Sequence, residues 1–278
     1  GSLMKYGFVV PNNFGIEDPH QLIHLGKRAE ALGFDSLWVN HHVLNVGYVQ
    51  ERLGNRPYHD ALVTLTWLAA ETRRVKLGTS VLVMPYLHPM VLAKELATLD
   101  CLSRGRLVVG LGAGSLPDEN AALGVPYESR GRYCNEFLQV MRLLWTTEEA
   151  SFAGEFFSFE NILTSPKPLQ TPHPRMVIGG NRSAALKRVA QFGDGWHPMN
   201  CSPDGIRKRL ASMKDMLTAD RQYVLDTVQV RLDMTRITPE SVADYEDAGV
   251  SDLVLSLNTG DVEAIESALE TFAENYFV

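Results

Sequence analysis

The stretch VKLGTSVLVMPYLHPMVLAKELATLDCLSRGRLVVGLGAGS, residues 75–115, decides the fold of this chain. It begins with an apolar, β-branched run at 75–83, continues with a helix that Pro89 opens, and returns to an apolar run at 106–111. The second run does not alternate apolar and polar residues, which is typical of a strand buried on both faces of a parallel sheet. The stretch therefore predicts a strand, a crossover helix and a parallel neighbouring strand.

The same alternation of strand and helix continues on both sides of this stretch. The predicted strands, in chain order, are 6–11, 36–40, 75–83, 106–111, 176–178, 195–199, 227–237 and 252–257. Eight strand–helix units in 278 residues favour an α/β fold of the closed kind, a single (β/α)8 TIM barrel, over a doubly wound sheet. Binding and catalytic residues of such barrels lie in the loops that follow the strands.

One insertion interrupts this regular order after the fourth strand. It contains a small hairpin at 151–159 and a connection at 165–174 that four prolines keep extended. We expect one domain over residues 4–278, and we expect residues 1–3 to be a scar left by expression.

Composition excludes several kinds of partner. The 33 acidic residues outnumber the 26 basic ones and give a formal charge of −7, which argues against binding to nucleic acid or to an anionic membrane surface. No apolar run approaches the roughly 20 residues that span a bilayer, and no export signal opens the chain. Three widely spaced cysteines without a CxxC motif fit a reducing compartment, so we expect a cytoplasmic protein.

The end of the second strand carries Asn40, His41 and His42. An imidazole at a strand end could act as a general base or acid because its unperturbed pKa lies near neutrality. The same pair could also be packed or solvated histidines without a chemical role. A metal site is the weaker interpretation, since no HxH or HxxxH spacing with a nearby carboxylate accompanies them.

Glycines mark three further strand ends. Gly78 within the third strand suggests a bulge. The fourth strand ends in GLGAGS at 110–115, a backbone nearly bare of side chains, but Ser115 in the sixth position departs from the dinucleotide-binding GxGxxG. Gly179, Gly180 and Asn181 lead into a helix whose free amides and dipole could meet a phosphate, although tight turns alone could explain the glycines.

Taken together, these segments resemble the bacterial luciferase-like family of flavin- and deazaflavin (coenzyme F420)-dependent oxidoreductases, and most closely the branch presumed to use the deazaflavin. The matching stretches are GFDSLWVNHH at 33–42, the whole of 75–115, ALGVPYESRG at 122–131, SFAGEFFSF at 151–159 and PKPLQTPHPRMVIGGNRSAALKRVAQFGDGWHP at 166–198. They cover most of the first two hundred residues, in the family's order and spacing.

The resemblance implies a luciferase-like TIM barrel with a cofactor site at its strand ends. It places a cis-peptide bulge under the cofactor ring at Ser80 and Val81, and it matches His42 to an active-site base. The cofactor-binding residues that it implies are Ser80, Val81, Gly112, Ala113, Gly114, Ser115, Gly179, Gly180 and Asn181, with the last three at the phosphate. Dimers are common among similar proteins, so we also expect a homodimer.

Two positions depart from the family's sugar-phosphate dehydrogenases. An acidic residue before the strand-two histidine is replaced by His41, and a glutamate after the strand-four glycines is replaced by Ser115. These changes argue against glucose-6-phosphate oxidation and leave no identified general acid. We expect His42 to carry the proton, with His41 lowering its pKa by like charge.

The leading functional hypothesis is hydride transfer between F420 and a small organic substrate. The alternative is an FMN-dependent monooxygenase to which a partner reductase supplies reduced flavin. A cofactor-binding protein without catalysis is a further alternative. A phosphosugar isomerase or aldolase is weaker, because such barrels usually hold phosphate after strands seven and eight.

Overall fold

Residues 3–277 are described by the structure, a computed structural model; Gly1 and Ser2, part of the expected scar, and Val278 lie outside the described residues. The strands are β1 (Lys5–Val9), β2 (Ser36–Val39), β3 (Lys76–Thr79), β4 (Leu82–Val83), β5 (Leu107–Gly112), β6 (Ala150–Ala153), β7 (Ser158–Ile162), β8 (Met176–Gly179), β9 (Gly195–His197), β10 (Gln229–Asp233) and β11 (Asp252–Ser256). Most are short, apolar and fully buried, as strands covered by helices must be.

Ten α-helices occur within the described residues. They are α1 (His20–Leu32), α2 (Gly47–Leu53), α3 (Ala61–Glu71), α4 (Pro89–Leu102), α5 (Pro117–Leu123), α6 (Arg130–Thr146), α7 (Ser183–Phe192), α8 (Pro203–Met216), α9 (Pro239–Ala248) and α10 (Val262–Tyr276). Several begin with proline, whose missing N–H is one that the first turn leaves unbonded in any case. None of the described helices is both long and apolar enough to cross a membrane.

The main sheet is parallel throughout and nearly closed. Its order is β10–β11–β1–β2–β3–β5–β8–β9, with β4 continuing the β3 position beside β5. Parallel bridges from Trp196 to Val228 and from Met199 to Arg231 connect β9 to β10. This arrangement, with helices following the strands, confirms the predicted TIM barrel.

Two apolar clusters fill the barrel and its surroundings. The larger lies between the sheet and the helices, and the smaller contains Val9, Trp38, Val177 and Val254. These four alternate in sequence with residues of the larger cluster, so they face the barrel interior. Gly78 is required there because a Cβ would overlap the Trp38 ring.

The insertion after strand four has the predicted form. β6 and β7 pair antiparallel as a hairpin, and the proline-rich segment before β8 contains no helix or strand. Two short helices were missed. The polar loop after β2 contains α2, and the glycine-rich continuation of β5 leads into α5.

Several predicted strand boundaries are wrong by a few residues, such as that of the first strand, expected at 6–11, which ends at Val9. The seventh strand, expected at 227–237, ends at Asp233, because this side chain accepts a hydrogen bond from the Thr235 amide and starts a 3-10 turn. The sixth ends at His197, since Pro198 has no amide hydrogen to continue the ladder. The third strand is interrupted, and the peptide between Ser80 and Val81 is cis, as the resemblance implied.

Candidate active site at the barrel mouth

His42 contacts a buried carboxylate that the sequence did not reveal. It follows β2 and its Nδ1 lies 2.6 Å from Oε1 of Glu119 on α5. The other carboxylate oxygen, Oε2, accepts hydrogen bonds from the amides of Val43 at 2.7 Å and Leu44 at 2.8 Å. The Glu119 side chain is fully buried, so both of its oxygens are held in fixed directions.

These hydrogen bonds set the charge of Glu119. Burial alone would raise the pKa of this carboxyl, but the hydrogen bonds from His42 and from the Leu44 amide outweigh it and lower the pKa. Glu119 is therefore ionised at neutral pH. An ionised carboxylate on Nδ1 orients the imidazole and stabilises its protonated form.

Tyr48 completes this arrangement from the solvent side. Its hydroxyl lies 2.9 Å from Nε2 of His42, and because Nδ1 donates to Glu119, Nε2 of a neutral ring accepts from Tyr48. Burial raises the pKa of Tyr48, so the hydroxyl keeps its proton at neutral pH. Tyr48 is 45% exposed, whereas the His42 side chain is 15% exposed. We call Tyr48, His42 and Glu119 the proton relay.

His41 has a different environment. It is buried, and its Nδ1 accepts a hydrogen bond from the Val83 amide at 2.9 Å. Burial lowers the pKa of His41 to about 4, so the ring is neutral at pH 7. A neutral ring cannot lower the pKa of His42 by like charge, which corrects that expectation. The catalytic assignment of His41 stays a prediction, and its hydrogen bond holds β4 at Val83.

The bulge at Ser80 rests on a polar cluster inside the barrel. Its Oγ lies 2.8 Å from Nε2 of His197, and its carbonyl accepts from Nη1 of Arg231 at 2.8 Å. Nδ1 of His197 lies 3.2 Å from Oε1 of Gln229, and burial lowers the pKa of His197 to about 4. A neutral His197 and a charged Arg231 thus fix the position of Ser80.

The glycines after β5 make room for side chains of the bulge. A Cβ on Gly112 would lie 2.7 Å from Cγ2 of Val81, and one on Gly114 would lie 2.7 Å from Cγ1 of Val83. Gly179 on β8 would meet Cγ1 of Val81 at 3.3 Å. The bare backbone expected along a ligand is therefore covered by Val81 and Val83. The partly exposed Val81 lies between two glycine-bearing strands.

The other residues of this segment differ in their surroundings. Ala113 packs at the margin of the larger core. Ser115 is exposed and lies beside Tyr48. Burial raises the pKa of Tyr48, and a hydrogen bond between the Ser115 and Tyr48 side chains acts to lower it. Of the segment 112–115, only Ser115 thus touches the proton relay.

Gly179, Gly180 and Asn181 precede α7, as predicted. Gly180 has a φ of 111°, a left-handed conformation that favours glycine. Asn181 donates from Nδ2 to the Met199 carbonyl at 2.9 Å, while its Oδ1 is buried without a hydrogen-bond partner among residues 3–277. The N-cap Arg182 makes no side-chain cap to the first turn of α7. Unbonded amides and an unsatisfied acceptor meet here, a set that suits a chain bearing anionic oxygens and hydroxyls.

Sequence reasoning missed Glu119, Tyr48 and two arginines described below. Pro117 followed by Asp118 and Glu119 is typical of a helix start, so α5 could have been found. The burial of Glu119 against His42 has no local signal. Among the described residues, no three His, Cys, Asp or Glu side chains are placed to hold a metal ion.

Comparison with known proteins identifies relatives with two different cofactors. The family model of the luciferase-like monooxygenases matches residues 4–231. The F420-dependent glucose-6-phosphate dehydrogenase of Kineococcus radiotolerans is 37% identical over 183 residues, 64% of this chain and 52% of that enzyme. The FMNH2-dependent dimethylsulfone monooxygenase of Pseudomonas putida is 30% identical over 169 residues, 60% of this chain and 46% of that enzyme. The chain matches about half the length of each.

A solved structure shows the same fold over the whole chain. The monooxygenase RslO1 from Streptomyces bottropensis superposes with a TM-score of 0.82, covering 99% of both chains at 22% identity. At this identity the likeness concerns the fold alone.

Proposed function

The chain belongs to the luciferase-like monooxygenase family, and we propose that it is an oxidoreductase that uses coenzyme F420 to exchange hydride with a small organic substrate. The observation that carries this proposal is the proton relay at the barrel mouth, in which His42 lies between an exposed hydroxyl and a buried carboxylate. A hydride carrier leaves the proton of an alcohol–carbonyl conversion to the protein, and the relay is built to move one.

The residues of the mouth fit such a cofactor. The segment Gly179–Asn181 with the start of α7 would hold its phosphate, and the orphaned Oδ1 of Asn181 would accept from a hydroxyl of its chain. Ser80 and Val81 would support the ring. A bound deazaflavin would supply a ring carbon that gives or takes hydride.

The relay handles the accompanying proton in two linked transfers. When a substrate alcohol is oxidised, its hydroxyl gives a proton to the Tyr48 oxygen, and Tyr48 gives its own to Nε2 of His42. Nδ1 keeps its hydrogen on Glu119, so the resulting imidazolium is paired with a carboxylate rather than isolated. Reduction of a carbonyl runs the same transfers in reverse.

The second candidate is an FMN-dependent monooxygenase served by a partner reductase, which the dimethylsulfone monooxygenase relative favours. Anaerobic titrations distinguish the two. We expect F420 fluorescence to report binding at least about tenfold tighter than the FMN absorbance titration, which is a difference of roughly 1.4 kcal/mol. Binding of reduced FMN alone, with oxygen-dependent turnover, would establish the monooxygenase instead. Binding of either cofactor without its reduction by any donor would favour a non-catalytic protein.

A homodimer is part of this proposal. Val63 and Trp67 on the outer face of α3 are 69% and 53% exposed, and large exposed apolar side chains on one helix face favour contact with a second copy. Sedimentation equilibrium of the wild type and of Trp67→Lys tests it, the expected result being a dimer that the substitution weakens.

A further inference from the structure

Arg231 is a charged group inside the barrel mouth without an acidic partner. It extends from β10, and Nη1 donates to the carbonyl of Ser80 at 2.8 Å and to its Oγ at 3.2 Å. Nε and Nη2 make no hydrogen bond to the described part of the chain. Burial lowers the pKa of Arg231 to about 10; Tyr58 partly offsets this effect, and repulsion from Arg52 adds to it. The guanidinium therefore stays charged at pH 7.

Arg52 is a second unpaired guanidinium near the first. It lies on α2 with its Cζ 4.8 Å from the centre of the Phe14 ring. Its Nε is buried and has no hydrogen-bond partner within residues 3–277. Neither Arg52 nor Arg231 forms an ion pair with a described carboxylate, and their charges repel each other.

Other partly buried arginines of the described chain have more complete sets of partners than Arg52 and Arg231. Arg142 pairs with Asp194 at 2.8 Å and also donates to the Phe192 carbonyl. Arg106 has no carboxylate but makes five hydrogen bonds, to Ser103, Thr72, Val75 and Ala69. A guanidinium in a protein interior is normally satisfied in this way, because leaving donors unmet costs desolvation energy without return. At the mouth, the buried Nε of Arg52 has no such partner, and only Nη1 of Arg231 is bonded to the described residues.

Tyr58 connects the arginine pair to the relay. Its ring contacts His42 edge to face, with 5.9 Å between ring centres. Burial raises the pKa of Tyr58, and both arginines oppose that rise, so both lie within electrostatic reach of its hydroxyl. Glu119 is also within electrostatic reach, but its two oxygens are already bonded to His42, Val43 and Leu44. No described carboxylate therefore forms an ion pair or a hydrogen bond with either arginine beside the relay.

We propose that Arg52 and Arg231 form a subsite for an anionic oxygen group of the substrate, of which a carboxylate is the simplest, beside the proton relay. This inference rests on the proposed function, since it names the class of substrate for that site. A carboxylate offers the two acceptor atoms that a guanidinium fork binds, and it would remove the repulsion between the two arginines. The substrate is then a small hydroxy or oxo acid, or a similarly charged compound.

The test measures binding by calorimetry, so it does not depend on turnover. Wild-type protein is titrated with butyrate and benzoate and with the neutral isosteres butyramide and benzamide, both alone and with F420 bound. We expect each carboxylate to bind at least about tenfold more tightly than its amide. Arg52→Gln should weaken carboxylate binding by about tenfold or more, whereas Arg132→Gln, an exposed arginine paired with Glu155, should leave it unchanged.

Arg231 also supports Ser80, so its removal could unfold the mouth. Arg231→Lys keeps a charge but loses the fork, and we expect it to weaken carboxylate binding less than Arg52→Gln does. Equal binding of carboxylate and amide, or full carboxylate affinity in Arg52→Gln, would overturn the proposal. The proposal would also be overturned if F420 displaced butyrate and Arg52→Gln weakened the binding of F420 as much as the binding of butyrate. The arginines would then hold the cofactor. Carboxylate binding without affinity for F420 or FMN would contradict the proposed cofactor chemistry alone.

Discussion

Oε1 of Glu119 lies 2.6 Å from Nδ1 of His42, although the two residues stand 77 positions apart in the sequence. His42 lies in the loop after β2 and Glu119 lies on α5, which follows β5; the pairing of β2 with β3 and of β3 with β5 brings these segments to the same end of the barrel. The contact fixes which imidazole nitrogen carries the hydrogen, so Nε2 is left as the atom to which we assign proton exchange.

Replacement of Glu119 by glutamine should lower kcat by about 10- to 100-fold, because an amide cannot balance the charge of a protonated His42. Affinity for the cofactor should stay the same, since Glu119 points to His42 and to two backbone amides. Steady-state kinetics and cofactor titration of Glu119→Gln check this, with the exposed Glu149→Gln as control. An unchanged kcat would show that the carboxylate only packs the loop.

His42→Ala removes Nε2, the atom to which the proposed function assigns proton exchange. We expect kcat to fall by about 100-fold or more, which is the usual size of a general acid–base contribution, with cofactor binding retained. Fluorescence titration and turnover of the same preparation measure both quantities. Full turnover with intact cofactor binding would contradict the role of His42 in the relay.

Acid should destabilise the fold through its buried neutral histidines. Burial lowers the pKa values of His41 and His197 to about 4, so between pH 6.5 and 4 the unfolded chain binds protons that the folded chain does not. The contribution of each neutral histidine to the free energy of unfolding is fully present above pH 6.5 and is lost as pH falls. At pH 5 each histidine has lost about 2 kcal/mol of this contribution. Urea unfolding at pH 7 and pH 5 measures the difference.

The comparison between variants isolates this effect. Asp252, whose pKa burial raises to about 6, acts in the opposite direction, since its folded form gains a proton as pH falls through 6. His41→Asn keeps an acceptor for the Val83 amide but cannot take up a proton, so its loss of stability from pH 7 to pH 5 should be smaller by about 2 kcal/mol. The exposed His20→Asn should behave as the wild type. An equal loss in His41→Asn would show that His41 is charged in the folded chain.

Gly110→Ala should destabilise the barrel by about 3 kcal/mol or more, because a Cβ there would overlap the backbone oxygen of Thr79 on the neighbouring strand. Gly131→Ala is the matched control. Gly131 lies in helix α6, and its Cβ would lie 3.3 Å from Nη2 of Arg188 on α7. Because that neighbour is the end of a flexible side chain, the substitution should be neutral or stabilise the fold by up to about 1 kcal/mol. Equal effects of the two substitutions in urea unfolding would refute the packing argument.

Much of the fold could be predicted because it depends on local signals. The apolar run at 106–111 and the proline at 89 specify a strand and a helix start regardless of the rest of the chain. Side-chain hydrogen bonds that end an element were harder to predict. Asp233 ended a strand that its apolar neighbours seemed to continue, because its side chain bonded to an amide two residues on.

The candidate site divides in the same way. His42 could be singled out because its position follows from the strand pattern alone. Glu119 could not, since an acidic residue in the first turn of a helix is common on protein surfaces and only the tertiary fold buries this one. The cofactor-binding role of Gly112 and Gly179 stays a prediction, and Val81, which occupies the space beside them, comes from the distant segment between β3 and β4.

Helix α2 carries Tyr48 and Arg52 one turn apart, and its apolar face does not belong to the main core. Val49 and Leu53 pack with Leu116 in a separate small cluster, with Tyr58 at its margin. The proposed proton donor and the proposed substrate-binding charge thus lie on one seven-residue helix that packs outside the main core. This helix is consequently a compact unit for evolution or engineering to alter, and a library that keeps Tyr48 and varies Arg52 with the exposed Gln50 and Glu51 should alter substrate preference at little cost in stability.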